Sequence, residues 1–380
     1  MAVRFVSSNI ISSLGFSTEE NFQNLLLAKV GIQTFNDPLL YPSPFLAACI
    51  HQAELEERWN ETNQKVVIAT RLEKMLILSI TEALSKTKID ISSSRTAILL
   101  STTKGNIDLL NPIESIDPER LLLWKLGEFI GHYFGNPNPV RVVTNACISG
   151  VLAINTAAMM LKGERFDHII VVGADLVTRF VVSGFMSFLS LSQTPCKPFD
   201  RDRDGLSLGE AAGTLILEKT SFPEKGDILF AGGATANDAN HISGPSRTAE
   251  GSVIAIQNAM SEAGFAAKEI DHINAHGTAT RYNDDMESIA IQRLGLSESP
   301  VNSYKGSWGH TLGAAGIIET ATLIESMKTD TILPTAGFHT PGTTEKLIVT
   351  KEPLSKPLNT CLKLASGFGG CNAALVLNKK

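Results

Sequence analysis

No two of the five cysteines in this 380-residue chain form a Cys-x-x-Cys pair. Cys49, Cys147, Cys196, Cys361 and Cys371 are scattered and odd in number, which argues against a disulfide framework or a structural zinc site and for reduced thiols. No run approaches the ~18 apolar residues of a membrane-spanning helix, and the opening stretch MAVRFVSSNIISSLGF is too polar for a signal-peptide core. No Gly/Ser linker or low-complexity tract divides the chain. The net charge of −6 argues against a general nucleic-acid binder. These absences predict a cytoplasmic protein with no membrane span. What is present is an ordinary globular composition, 43% hydrophobic and 19% charged, with ample core for one large domain or several smaller ones.

The chain is organised around Pro139 to Lys162. Val140 to Val143 reads as a short buried strand, Thr144 to Ala146 as a turn, and Cys147 opens a segment without charge until Lys162. That segment spans about four helical turns and is apolar nearly all round, so it predicts a buried helix. Ser149, Gly150, Ala153, Ala157 and Ala158 would let a neighbouring backbone approach closely, and Gly163 is a natural stop. Cys147 is thereby placed at a strand-to-helix turn, where free N–H groups and the helix dipole favour a thiolate. A buried cysteine is more often a small hydrophobe, so partners are needed.

Elsewhere strand and helix patterns alternate. Val3 to Ile11, Thr96 to Leu100, His168 to Val172, Gly213 to Glu218, Ile228 to Thr235, Ile270 to Ala275, Leu362 to Ser366 and Ala373 to Asn378 read as strands. Thr18 to Ala28 (Thr18 as N-cap), Thr70 to Ser85, Leu121 to Tyr133, Thr248 to Ala263, Asp284 to Leu294 and Gly313 to Lys328 read as helices. Leu39 to Trp59 reads as irregular with a short helix. Residues 149–162 align without gaps on residues 315–328, and each helix lies upstream of a terminal strand, TLILEK or ALVLNK. The alternation predicts two similar α/β halves, 1–222 and 223–380, packed into one body.

Two histidines stand in Gly-flanked loops at the edges of apolar elements, as Cys147 does. His276 lies in NAHGTAT after a strand, and His310 in KGSWGH before the second buried helix. Taken together, one thiol and two imidazoles at element ends are more than coincidence.

Five stretches in order, NACISG, KPFDRDRDGLSLGEAAG, NAHGTAT with NDDME, KGSWGHTLGAAGIIE and LASGFGGCNAAL, resemble the β-ketoacyl-acyl carrier protein synthases of the Cys-His-His type. The resemblance implies a thiolase-like layered αβαβα fold made of two similar halves. It implies an acyltransferase in which Cys147 takes an acyl group from acyl carrier protein and condenses it with malonyl-acyl carrier protein. By the same resemblance His276 and His310 would stabilise the enolate and Lys305, paired with Glu319, would position the His310 loop. The N–H groups of Cys147 and Phe368 would form an oxyanion hole, helped by Gly367, Gly369 and Gly370, and Phe368 would act as a gate. Thr278 and Thr280 would hold the pantetheine arm, and Lys197, Arg71 and Lys74 occupy positions that can meet the acidic carrier. No metal or organic cofactor is implied, since the phosphopantetheine belongs to the carrier. A dimer, with itself or a relative, is implied as well. The opening strand lacks the Thr-Gly usual in the family and the N-terminal half is short, which points to a specialised synthase for polyene, polyketide-like or unusual fatty acids.

Three other readings compete. Gly205-Leu206-Ser207-Leu208-Gly209 fits the G-x-S-x-G of serine hydrolases, but a charged turn precedes it and a β-like stretch follows. A thiolase or Cys-His-Asn synthase is opposed by the HGTAT and KGSWGH pair. A non-catalytic chain-length partner of a heterodimer would typically have lost Cys147.

Overall fold

Eleven strands form one continuous sheet in the computed structural model, which describes residues 1–62, 67–110, 116–238, 244 and 246–380. The first half supplies β1 (Ala2–Ile11), β2 (Thr96–Ser101), β3 (Arg141–Val143), β4 (His168–Asp175) and β5 (Ala211–Thr220). The second supplies β6 (Ile228–Asn237), β7 (His272–Asn274), β8 (Pro300–Asn302), β9 (Ile348–Val349), β10 (Thr360–Gly367) and β11 (Cys371–Lys379). The spatial order is β9-β8-β7-β10-β11-β6-β1-β5-β4-β2-β3.

The two halves repeat one topology. In the first, β3-β2-β4-β5-β1 has parallel pairs β2/β3 and β2/β4, then antiparallel pairs β4/β5 and β5/β1. In the second, β8-β7-β10-β11-β6 has parallel β7/β8 and β7/β10, then antiparallel β10/β11 and β11/β6. The halves join where β1 meets β6 at Val3–Phe230 and Arg4–Leu229. The β9 strand is an addition at one edge.

Two helices, α1 (Ser149–Lys162) and α2 (Ala315–Thr329), lie between the halves. Their side chains share one core cluster with residues from β1, β2, β4 and β5 and from β6, β10 and β11. These are the helices whose sequences align, and they touch at equivalent positions. A Cβ on Gly150 would stand 2.9 Å from Gly316 Cα and Ile317 N. Such overpacking would cost on the order of 1–3 kcal/mol. Outer layers close the stack. The helix Arg71–Ser85 buries Leu72, Met75, Leu76 and Ile80 against the far face of the first half. The helix Glu250–Ala263 does the same with Val253, Ile256 and Ala259 on the second. The layering is therefore αβαβα.

Several element ends differ from the sequence reading, each for a local reason. Ser17, not Thr18, caps the first helix: its side chain accepts the Glu20 N–H (3.1 Å), and Glu20 returns to the Ser17 N–H. Residues Pro118–Leu121 form a 3₁₀ turn before the helix Leu123–Phe134, with Asp117 capping through Glu119 N–H. Ala249 adopts a left-handed φ of 58°, so the helix expected from Thr248 begins at Glu250. The stretch 39–59 holds the strand Phe45–Ala48 and the start of the helix Gln52–Thr62.

Candidate active site

Cys147 lies in the turn after β3, two residues before α1. Ala146 is left-handed (φ 44°), and the turn is closed by Ile148 N–H to Asn145 O (3.2 Å) and Ser149 N–H to Ala146 O (3.3 Å). The Ser149 hydroxyl donates to Ala146 O (2.6 Å) and accepts the Asn145 N–H (2.8 Å), fixing the cysteine's backbone from both sides.

The expected thiolate is not what this setting favours. Burial pushes the Cys147 thiol up to about 12, Cys371 adds to the rise, and Lys305 and Lys104 offset only part of it. Desolvation outweighs the partial charge of a helix that starts two residues later. Cys147 at rest is a thiol. Alkylation of Cys147 by iodoacetamide, followed on its own peptide, should therefore rise about tenfold per pH unit from pH 7 to 10 without levelling. A plateau near pH 7 would contradict this assignment.

His276 follows β7, and its loop is held from beneath by two carboxyls on the helix Arg281–Arg293. Glu287 accepts the His276 and Gly277 N–H groups (2.6 and 2.7 Å), and Asp284 accepts those of Thr278 and Phe199 (3.0 and 2.8 Å). Burial raises the pKa of both carboxyls, Asp284 to about 7. Lys305 Nζ donates to His276 O (2.7 Å), pairs with Glu319 Oε1 (2.6 Å) and stands 3.3 Å from His276 Nδ1. An ammonium has no lone pair to offer, so Nδ1 is the acceptor and the His276 proton sits on Nε2. His310 reaches the same state by another route. Its Nδ1 accepts the Leu312 backbone N–H (3.3 Å), again leaving the proton on Nε2. Burial first, then the charges of Lys305 and Lys363, hold both imidazoles well below their ordinary pKa, so both are neutral.

The rings are edge to face with centroids 5.1 Å apart. Donor atoms of Cys147, His276 and His310 all lie within 4.8 Å of one another. By spacing alone such a trio could take a metal ion, but the Lys305 ammonium stands directly behind the His276 ring. Its chemistry is that of a thiol facing two neutral N–H donors.

All three groups line a cavity of about 470 Å³. Thr278 and Thr280, their hydroxyls 2.9 Å apart, lie on its wall. Gly367 packs so closely that a Cβ would come within 3.0 Å of Cys147 N. Neither the Cys147 nor the Phe368 N–H donates to another group among the described residues. Gly369 and Gly370 turn the loop with φ of 89° and 75°, a conformation glycine adopts without strain. Phe368 is 39% exposed and stacks on Phe185 (5.6 Å), with Phe188 edge-on (5.3 Å).

With this geometry in place, comparison with known proteins is direct. Residues 6–222 match the family description Beta-ketoacyl synthase, N-terminal domain, and residues 229–339 match Beta-ketoacyl synthase, C-terminal domain. The chain belongs to the beta-ketoacyl synthase family. A Schizosaccharomyces pombe protein, provisionally named as a mitochondrial 3-oxoacyl-(acyl-carrier-protein) synthase, is 29% identical over 97% of both chains. The 3-oxoacyl-(acyl-carrier-protein) synthase 2 of Rhizobium meliloti is 32% identical over 69% of this chain and 66% of its own. Among solved structures, the ishigamide ketosynthase/chain length factor aligns with TM-score 0.88 and 25% identity over 100% of this chain and 99% of that one.

Two of the three cations placed where the carrier could be met have partners within the chain. Arg71 pairs with Glu210 and bonds Ile50 O (2.6 Å), and Lys74 pairs with Glu56 (2.7 Å). Lys197 is half-buried and makes no ion pair among the described residues. The DRDRD turn is tied into the body of the chain. Asp200 and Arg203 are buried, and Arg203 pairs with Asp285 (2.9 Å) while Asp200 accepts the His339 and Thr340 N–H groups. Ser207 is no hydrolase nucleophile: its buried hydroxyl accepts the Cys196 N–H (3.1 Å), and its carbonyl accepts the His310 N–H (2.7 Å). The sequence reading missed Lys363, Asp284, Glu287 and Cys371. NDDME carried the signal for the carboxyls, and a lone charge in the apolar strand TCLKLAS carried it for Lys363.

Proposed function

We propose that this ketoacyl synthase catalyses decarboxylative Claisen condensation between an acyl group on Cys147 and malonyl-acyl carrier protein. The observation that carries the reading is the thiol within 4.8 Å of two imidazoles whose tautomers leave Nε2–H free in one cavity.

Cys147 Sγ attacks the thioester carbonyl of an acyl carrier protein. The old C–S bond breaks, and the thiol proton ends on the departing pantetheine sulfur. Malonyl thioester then enters beside Thr278 and Thr280, and its carbonyl oxygen accepts from His276 and His310. These donors stabilise the enolate as the carboxylate leaves as CO₂. The enolate carbon attacks the acyl carbonyl on Cys147. The tetrahedral oxygen rests on the N–H groups of Cys147 and Phe368. Collapse releases 3-oxoacyl carrier protein, and the basic Cys147 thiolate takes a proton from solvent. No metal or organic cofactor of its own takes part.

The partner is an acyl carrier protein, and a second synthase subunit, identical or related, completes a dimer. Supporting the latter, β3 has no neighbour on its outer side among the described residues, and Met159 on the adjoining α1 is exposed. The two halves, 1–222 and 223–380, are its structural units. Products serve fatty-acid, polyene or polyketide-like synthesis in the cytoplasm. The five free cysteines support that compartment, and no helix among the described residues is long and apolar enough to cross a membrane.

A chain-length partner remains a second reading, favoured by the ketosynthase/chain length factor neighbour. Purified alone, the chain should convert acyl- and malonyl-carrier protein to the 3-oxoacyl product. Silence alone together with activation of a second subunit would favour the partner reading instead.

A further inference from the structure

Lys363 is completely buried on β10, paired across the sheet with Asn274, two residues before His276. Its ammonium lies 2.6 Å from Glu319 Oε2 and donates to Leu364 O (2.6 Å). The other oxygen, Oε1, holds Lys305 at 2.6 Å, and Lys305 holds the His276 carbonyl at 2.7 Å. One carboxylate is thus shared by two ammonium groups, with every member of the chain Lys363–Glu319–Lys305–His276 essentially out of water. A buried carboxylate divided between two cations leaves neither fully compensated.

We propose that Lys363 is a positioning residue for malonyl decarboxylation: by taking half of Glu319, it leaves Lys305 with unbalanced positive charge beside His276 and His310. That charge favours an anionic malonyl group and the enolate, and it keeps the imidazoles neutral so that each Nδ1 stays the acceptor, towards Lys305 or the Leu312 N–H, that aims its Nε2–H into the cavity. The role rests on the decarboxylation reading above. Other groups facing the rings are Cys147 and His310 across the cavity, and Glu287 and Asp284 beneath the His276 loop. They are common to every variant below.

The test is a charge series read by malonyl-carrier decarboxylation against pH. Lys363→Met removes one positive charge, Glu319→Gln removes the negative one, and the double variant restores the parent balance. Removing a nearby cation raises an imidazole's pKa, so activity is lost earlier as pH falls. Lys363→Met should move the acid limb up by about one pH unit and lower the rate on the order of tenfold. Acyl loading of Cys147 should change little. Glu319→Gln should move the limb down, and the double variant should return it to the parent position. Acid limbs that ignore the charge order, or equal loss in both half-reactions, would overturn the role. Should Lys363→Met not fold, Glu319→Gln and the double variant are compared with the parent, and a Glu319→Gln limb that coincides with the parent's overturns it equally. A parent unable to decarboxylate would sink both readings, whereas an active parent with an unmoved series would sink this one alone.

Discussion

Cys147→Ala should bring condensation down by at least about 10⁴-fold, because the acyl group then has no atom on which to wait. The imidazoles and their supports are untouched, so malonyl decarboxylation should persist. The burial of Cys147 makes the substitution small in volume and leaves the Ser149 bonds that shape the turn in place. Cys147→Gln extends the test. Its amide stands where the acyl thioester would, and its carbonyl can occupy the oxyanion position at the Cys147 and Phe368 N–H groups. Decarboxylation should rise above that of the parent while condensation stays lost. Both rates are read by carrier-protein mass spectrometry. Unchanged condensation in either variant would remove the sulfur from the mechanism.

His310→Ala should separate the two half-reactions. The variant loses one of two N–H donors aimed at the malonyl oxygen, a change that costs about 10²–10³-fold where a donor stabilises a developing oxyanion. Acyl transfer to Cys147 needs neither ring as a base, since its proton leaves with the pantetheine sulfur, and should fall less than about tenfold. The loop itself is secured by backbone bonds from His310 N–H to Ser207 O and from Gly209 N–H to His310 O (3.0 Å), which the substitution keeps. Stopped acyl loading and free carbon dioxide release report the two steps separately. Comparable losses in both would contradict the division.

Much of this site was legible in the chain because its parts are local. A strand, a three-residue turn and an uncharged helix announce Cys147, and Gly-flanked loops announce both histidines. The repeat between residues 149–162 and 315–328 also carried through, since both helices must be small and apolar to cross at Gly150 and Gly316. What escaped depends on distant contacts. The thiol's high pKa comes from burial that no local pattern encodes. Lys363 is conspicuous as a charge within a strand, yet its meaning requires Glu319 from α2 and Lys305 from the short helix Lys305–Trp308. The ion pairs of Arg71 and Lys74 were equally out of sight, because Glu210 and Glu56 arrive from elsewhere in the chain. Ser207 had the spacing of a nucleophile and the burial of a strut.

The central claim is that an acyl group rides on Cys147 while two neutral imidazoles form the enolate that attacks it. Peptide-resolved mass spectrometry of the chain quenched during turnover with acyl- and malonyl-carrier proteins tests it most directly. The account predicts an acyl adduct confined to the Cys147 peptide that forms before malonyl addition and is discharged by it into 3-oxoacyl carrier protein. Product formed with Cys147 never acylated, or an adduct on Cys371 that malonyl-carrier protein discharges instead, would contradict it.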